Sequence, residues 1–121
     1  MTMQLVVAVS ALLLGPSLLR AQETKADSCQ TVDLKAPTKW VGSPTRTVNI
    51  RTGPGTEYSL HESGQLMPGE EIQVLQGCKG WLQARVIPAR LIDVAIRQNG
   101  RRRAQEMLLF WVRRDLIRRR R

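Results

Sequence analysis

Val48-Asn49-Ile50-Arg51-Thr52-Gly53-Pro54-Gly55-Thr56-Glu57-Tyr58 is the stretch on which the fold turns. Val48 and Ile50 alternate with Asn49 and Arg51, the period of a strand with one buried face. Gly53-Pro54-Gly55 follows at once; proline presets its own φ, and the glycines tolerate backbone conformations that other residues resist. Tyr58 closes the loop, where a phenol can lie half buried with its hydroxyl in water. The stretch predicts a strand running into a tight loop that ends on an aromatic.

Period-two runs separated by turn residues continue on both sides. A short strand is expected near Trp40-Val41, before the Gly42-Ser43-Pro44 bend, and a weaker one over Leu60 to Leu66, interrupted by Gly64. Met67-Pro68-Gly69 turns into Glu71-Ile72-Gln73-Val74, and Gly77-Cys78-Lys79-Gly80 turns into Trp81-Leu82-Gln83-Ala84-Arg85-Val86-Ile87. There Leu82, Ala84 and Val86 share one face and Trp81, Gln83 and Arg85 the other. An aliphatic core face therefore points Trp81 away from the centre. After Pro88, Leu91 to Ile96 alternates again, with Ile92, Val94 and Ile96 on one side. Asn99-Gly100 is a strong two-residue hairpin signal, with a returning strand over about Gln105 to Val112. A strict two-residue turn opposes Arg97 to Arg102 and Asp93 to Glu106, like charges face to face, so the register stays open. Asp115-Leu116-Ile117 is expected as a last helical turn or short strand, and Arg118 to Arg121 as a frayed basic tail.

The opening stretch resembles the signature of the bacterial SH3-like domain, a small β-barrel binding module of exported and cell-wall proteins. Its pattern, apolar-Asn-apolar-Arg-x-Gly-Pro-x-x-x-Tyr, is matched in order by Val48, Asn49, Ile50, Arg51, Gly53, Pro54 and Tyr58. Gly69 before the Ile72 to Leu75 strand, Gly80-Trp81, and Trp111-Val112 extend the resemblance over about residues 38–117. Three departures accompany it: the Tyr58 to Gly69 stretch is about two residues long for the family, the Trp81 to Trp111 span is much longer, and Phe110 stands where the family has glycine. The resemblance implies an all-β fold, a small SH3-like antiparallel β-barrel, here with the Asn99-Gly100 hairpin as an extension. It implies ligands such as cell-wall peptide or another exported protein.

Residues 1–21 read as an export signal. Leu5 to Leu14 is a ten-residue, almost wholly apolar run, broken by Gly15-Pro16, with Ala21 as a small residue at a cleavage point. The run is shorter than the roughly 20 residues that a membrane-spanning helix needs. The expected location is periplasmic or extracellular. Residues 22–37 are polar, mixed in charge and short of apolar periodicity, and read as a leader before the domain at 38–117. Cys29 lies in that leader and Cys78 in a predicted turn. Two cysteines in an exported small domain read as one disulfide, whose loop closure contributes about 4 kcal/mol in the chain-entropy view.

The formal charge of +9 is concentrated at one end. From Arg85 on, twelve arginines stand against three acids, Asp93, Glu106 and Asp115, whereas residues 22–84 are close to neutral. No enzyme is expected. His61 is the single histidine, so a thiol nucleophile lacks a partner beyond it, no metal-ligand spacing occurs, and Gly53-Pro54-Gly55 lacks the lysine and helix of a phosphate loop. No cofactor is implied. Tyr58, Trp81 and Trp111 are the candidate ligand-binding aromatics, expected in one groove. Asn49, Arg51, Gly53 and Pro54 are read as structural residues of the turn. The alternative is an electrostatic binder of a polyanionic envelope surface or nucleic acid, through Arg101, Arg102, Arg103, Arg113 and Arg114, with Arg97 and the tail. Sequence-specific nucleic-acid reading is disfavoured, because no aromatic is interleaved with the basic runs.

Overall fold

The structure, a computed structural model, describes residues 29–120. The export signal and the first part of the leader lie outside the described residues. From Thr31 on, the chain forms one compact unit. Seven strands build a single antiparallel sheet: β1 (Trp40–Pro44), β2 (Val48–Arg51), β3 (Leu60–Leu66), β4 (Ile72–Cys78), β5 (Trp81–Arg85), β6 (Phe110–Arg113) and β7 (Ile117–Arg119), in the spatial order β3-β2-β6-β5-β4-β1-β7. The all-β reading holds for the sheet, and the turns expected before Glu71 and at Lys79-Gly80 are present. The Gly42-Ser43-Pro44 bend is corrected: those residues complete β1, and the chain bends at Thr45-Arg46 instead. The sheet is not closed, since β3 and β7 are its two edges. One face buries Val48, Ile50, Leu66, Ile72, Val74, Leu82, Ala84, Phe110 and Val112 in one cluster, against which Trp40 and Ile117 also pack. Residues of both edge strands meet in that cluster, so the sheet curls around it.

The expected Asn99-Gly100 β-hairpin is corrected. The span from Leu91 to Leu108 is instead a pair of short helices, α1 (Ile92–Asn99) and α2 (Arg101–Leu108), entered by a 3-10 turn at Ala89–Leu91 after Pro88. The residues Ile92, Val94 and Ile96 fit a strand, but Ile92, Ala95 and Ile96 fit one face of a helix equally well. The helical set is the one that packs, and Val94 is left exposed. Gly100 separates the helices at φ 81° and ψ 152°, a conformation essentially confined to glycine, and its N–H closes α1 on the carbonyl of Ile96. The unfavourable charge oppositions of the β register are thereby avoided.

These helices cover the outer face of the sheet. Leu34, Leu75, Ile92, Ala104 and Leu109 form a second buried cluster, flanked by Val32, Ala36 and Ile96. Two more expectations are corrected here. The leader reading fails from Thr31 on: Val32, Leu34 and Ala36 alternate with polar residues and lay an apolar edge against the helices, forming a strap over the sheet. The basic tail is not frayed through Arg120, because Arg118 and Arg119 pair with Ser43 and Gly42 in β7–β1, and the Arg120 N–H donates to the Val41 carbonyl. The expected terminal helical turn is present as a 3-10 turn at Arg114–Leu116.

Beneath the strap, β5 is buried on both sides. Leu82 and Ala84 enter the first core, while Gln83 and Arg85 face the strap with almost no exposure. Arg85 is satisfied by oxygens rather than by a carboxylate. It donates to the carbonyls of Leu34 and Ala36, to Gln73 Oε1 and to Thr38 Oγ1. Burial pulls its pKa below the ordinary guanidinium value. Both cysteines are disulfide-bonded, joining Cys29 to Cys78.

Candidate binding sites

The signature loop is built by its own hydrogen bonds. The Thr52 N–H donates to the Ser59 carbonyl at 2.9 Å, and Arg51 Nη1 donates to the Tyr58 carbonyl at 2.8 Å. Tyr58 lies directly over Gly53, where any Cβ would run into its ring. That contact, with the ring 41 % exposed, makes Tyr58 part of the loop's own packing as well as its surface. Asn49 accepts a hydrogen bond from Gln65 across the β2–β3 ladder at 2.8 Å, so its amide bears on strand pairing rather than on the loop.

The three candidate aromatics do not converge. Trp111 is 1 % exposed, opposite Gln83 on β5 and Arg51 on β2. Trp81 is half-buried at the other end of β5, opposite Arg113. Each lines a different recess, and Tyr58 lines neither.

The recess at Trp81 is shallow and cationic. Lys79, Arg113 and Arg114 surround the indole, with Asp115 as the one acid. Arg113 is held by Asp115 at 2.8 Å, which leaves Lys79 and Arg114 without an ion-pair partner among the described residues. The tight β4–β5 turn at Lys79-Gly80 sets the near wall, and the Arg114 N–H donates to the Gly80 carbonyl at 2.9 Å to fix the far one. This geometry joins one predicted aromatic to two predicted anion-binding arginines.

The second recess is a cleft of about 490 Å³ between the sheet and α2. Trp111, His61 and Gln83 line its depth, and Arg102, Arg103, Glu62 and Glu106 its mouth. His61 is buried and fully engaged. Its Nδ1 accepts from the Ser63 N–H, so Nε2 carries the proton and donates to the Glu106 carbonyl, each at 3.0 Å. The ring also meets Phe110 edge-on, 6.2 Å between centroids. This lone histidine docks α2 onto β3, a role that its position in an alternating strand did not signal.

Of the other predicted arginines, Arg101, Arg103 and Arg120 are paired, while Arg97, Arg102 and Arg118 have no ion-pair partner among the described residues. Arg101 bridges to Asp33 on the strap at 2.8 Å, and Arg103 reaches both oxygens of Glu62. Arg120 pairs with Glu71, and Arg119 lies over the Trp40 ring, 5.4 Å from its centroid. Lys35 pairs with Asp93 at 2.8 Å. Asp33 is held below the ordinary carboxylate range first by the Lys35 backbone N–H and then by Arg101. Asp93 is lowered chiefly by its hydrogen bond to the Lys35 ammonium and by that charge.

Among the described residues, no helix is long and apolar enough to cross a membrane, and no cluster of three His, Cys, Asp or Glu side chains is placed to hold a metal. No protein-family model, curated protein or solved structure matches the chain.

Proposed function

We propose that this chain is a non-catalytic, exported binding module of the bacterial SH3-like kind, which recognises a cell-envelope ligand through the Trp81 recess. The observation that carries the reading is the half-exposed indole of Trp81 ringed by Lys79, Arg113 and Arg114. A flat apolar surface beside Lys79 and Arg114, cations without acid partners among the described residues, suits an acidic, partly apolar ligand, such as a cell-wall peptide or a segment of another exported protein. The signature loop and the curled antiparallel sheet support the SH3-like assignment. The disulfide is in keeping with an oxidising compartment.

The polyanion reading is the weaker of the two. It requires a field of free arginines, and Arg101, Arg103, Arg113 and Arg120 are each drawn to a carboxylate of the same chain. The test is capture of envelope components by the mature protein, with isolated wall polymer in parallel. Retention by the native protein and loss with Trp81→Ala, at unchanged thermal stability, is the expected result. Equal retention by both proteins removes the Trp81 recess from the proposal.

A further inference from the structure

The cleft between the sheet and α2 shares no lining residue with the Trp81 recess and carries its own chemistry. At its depth, the Trp111 indole N–H has no hydrogen-bond partner among the described residues, although the side chain is 99 % out of solvent contact. Among the described residues no fully buried side-chain nitrogen or oxygen is left unsatisfied, so this N–H keeps a sliver of accessible surface, and the cleft is the recess that Trp111 lines. A donor of this kind, nearly buried and unpaired, calls for an acceptor.

The mouth supplies opposite charges. Arg102 and Glu106 lie four residues apart on α2, hence on one side of the helix, with Cβ atoms about 5–6 Å apart. Neither has an ion-pair partner among the described residues. The order, cation before anion along the chain, is the less favourable one for pairing within a helix. Arg103 and Glu62 beside them neutralise each other, so the mouth as a whole is balanced. A simple anion entering it meets Glu62 and Glu106, and a simple cation meets Arg102 and Arg103.

We propose that this cleft binds a zwitterion of the amino-acid or short-peptide class. The ligand carboxylate lies on Arg102, its ammonium on Glu106, and a carbonyl oxygen accepts from Trp111 Nε1–H. A volume of about 490 Å³ admits a dipeptide with room for water. The site is independent of the envelope-ligand reading, because it has no lining residue in common with the Trp81 recess.

The experiment follows the indole N–H resonances of the native protein by ¹⁵N-correlated NMR during titration with the dipeptide Ala-Ala. The three tryptophans are assigned by single Trp→Phe variants. The expected result is a saturable shift of the Trp111 resonance at millimolar dipeptide, with Trp40 and Trp81 unmoved. N-acetylation of the dipeptide, amidation of its carboxyl, R102Q and E106Q each weaken binding about tenfold, the loss of one charge-assisted hydrogen bond. Arg102 and Glu106 are exposed, and unchanged Trp40 and Trp81 resonances certify the fold of those variants. Retention of the shift in Trp81→Ala separates this site from the other recess. A Trp111 resonance that stays still up to the solubility of the dipeptide overturns the proposal. So does an equal response to the blocked dipeptides.

Discussion

Arg85 donates a hydrogen bond from Nη1 to the main-chain carbonyl of Leu34, at 2.5 Å, beneath the strap. Through this contact the central strand of the sheet holds a segment that lies more than forty residues earlier in the chain. A charge so buried is tolerated because four oxygens replace its water: two strap carbonyls, Thr38 and Gln73. The guanidinium fork suits this role, since it presents several donors in one plane.

Removing that fork strands the acceptors. Arg85→Ala is expected to destabilise the protein by about 3 kcal/mol, from carbonyls left without donors and from the lost packing of the side-chain stem. Arg85→Lys recovers part of this, because an ammonium keeps the charge and fewer donors. Urea unfolding followed by tryptophan fluorescence measures both. An Ala variant within a few tenths of the native midpoint energy shows that the strap carbonyls find water instead.

Gly100 is the joint of the helical pair, and a Cβ there meets no other atom. Gly100→Ala therefore reports backbone conformation alone, and the φ of 81° predicts a cost of about 1–3 kcal/mol. Hydrogen exchange locates the effect: amides of α1 and α2 lose protection first, while β4 and β5 keep theirs. A neutral substitution indicates that the joint relaxes to a conformation open to alanine.

What the sequence revealed and concealed divides along physical lines. Strands β2, β4 and β5 announced themselves because one face is aliphatic and their turns carry Gly and Pro. Leu75, out of phase with Ile72 and Val74, was a visible trace of a second apolar face on the same sheet. The helices were ambiguous because apolar residues at Ile92, Val94, Ala95 and Ile96 satisfy both periods, and Asn-Gly ends helices as readily as it turns hairpins. The strap alternates at Val32, Leu34 and Ala36, but its polar partners made the whole leader read as solvent-loving. The cleft was beyond reach altogether: Trp111, His61 and Arg102 meet only through the docking of α2, which no local pattern encodes.

Acid is expected to loosen the strap before the sheet. Asp33 and Asp93 both have folded-state pKa values below the ordinary 3.8. A depressed carboxylate contributes stability that is fully present above its unfolded value and lost as the pH falls through the folded one. The loss thus falls below about pH 4, in the range where carboxylates protonate. Both groups are largely solvent-exposed, so the effect is small and shrinks in high salt. Hydrogen exchange of the Lys35 amide, which donates to Asp33 at 2.8 Å, reads it directly. Asp33→Asn removes the dependence at that amide; an unchanged pH profile in the variant assigns the loosening to other groups.

Salt dependence separates a recess from a charge field. If Trp81 anchors an envelope ligand, Trp81→Ala weakens binding by about 1–3 kcal/mol, as truncation of a central aromatic does. Lys79→Gln and Arg114→Gln lower the affinity less and flatten its salt dependence, because both cations stand in solvent where a Debye length of about 8 Å already screens them. Replacing Arg101 or Arg103 has a different signature. Each is tied to a carboxylate of the same chain, so its loss perturbs the strap or the β3–α2 junction and leaves the Trp81 recess intact. A polyanion binder behaves in the opposite way, with affinity falling steeply between low and moderate salt and with every arginine in rough proportion to its charge. Affinity measured across salt for these variants therefore decides the matter. Binding indifferent to Trp81 yet abolished with the arginines overturns the recess and restores the charge field.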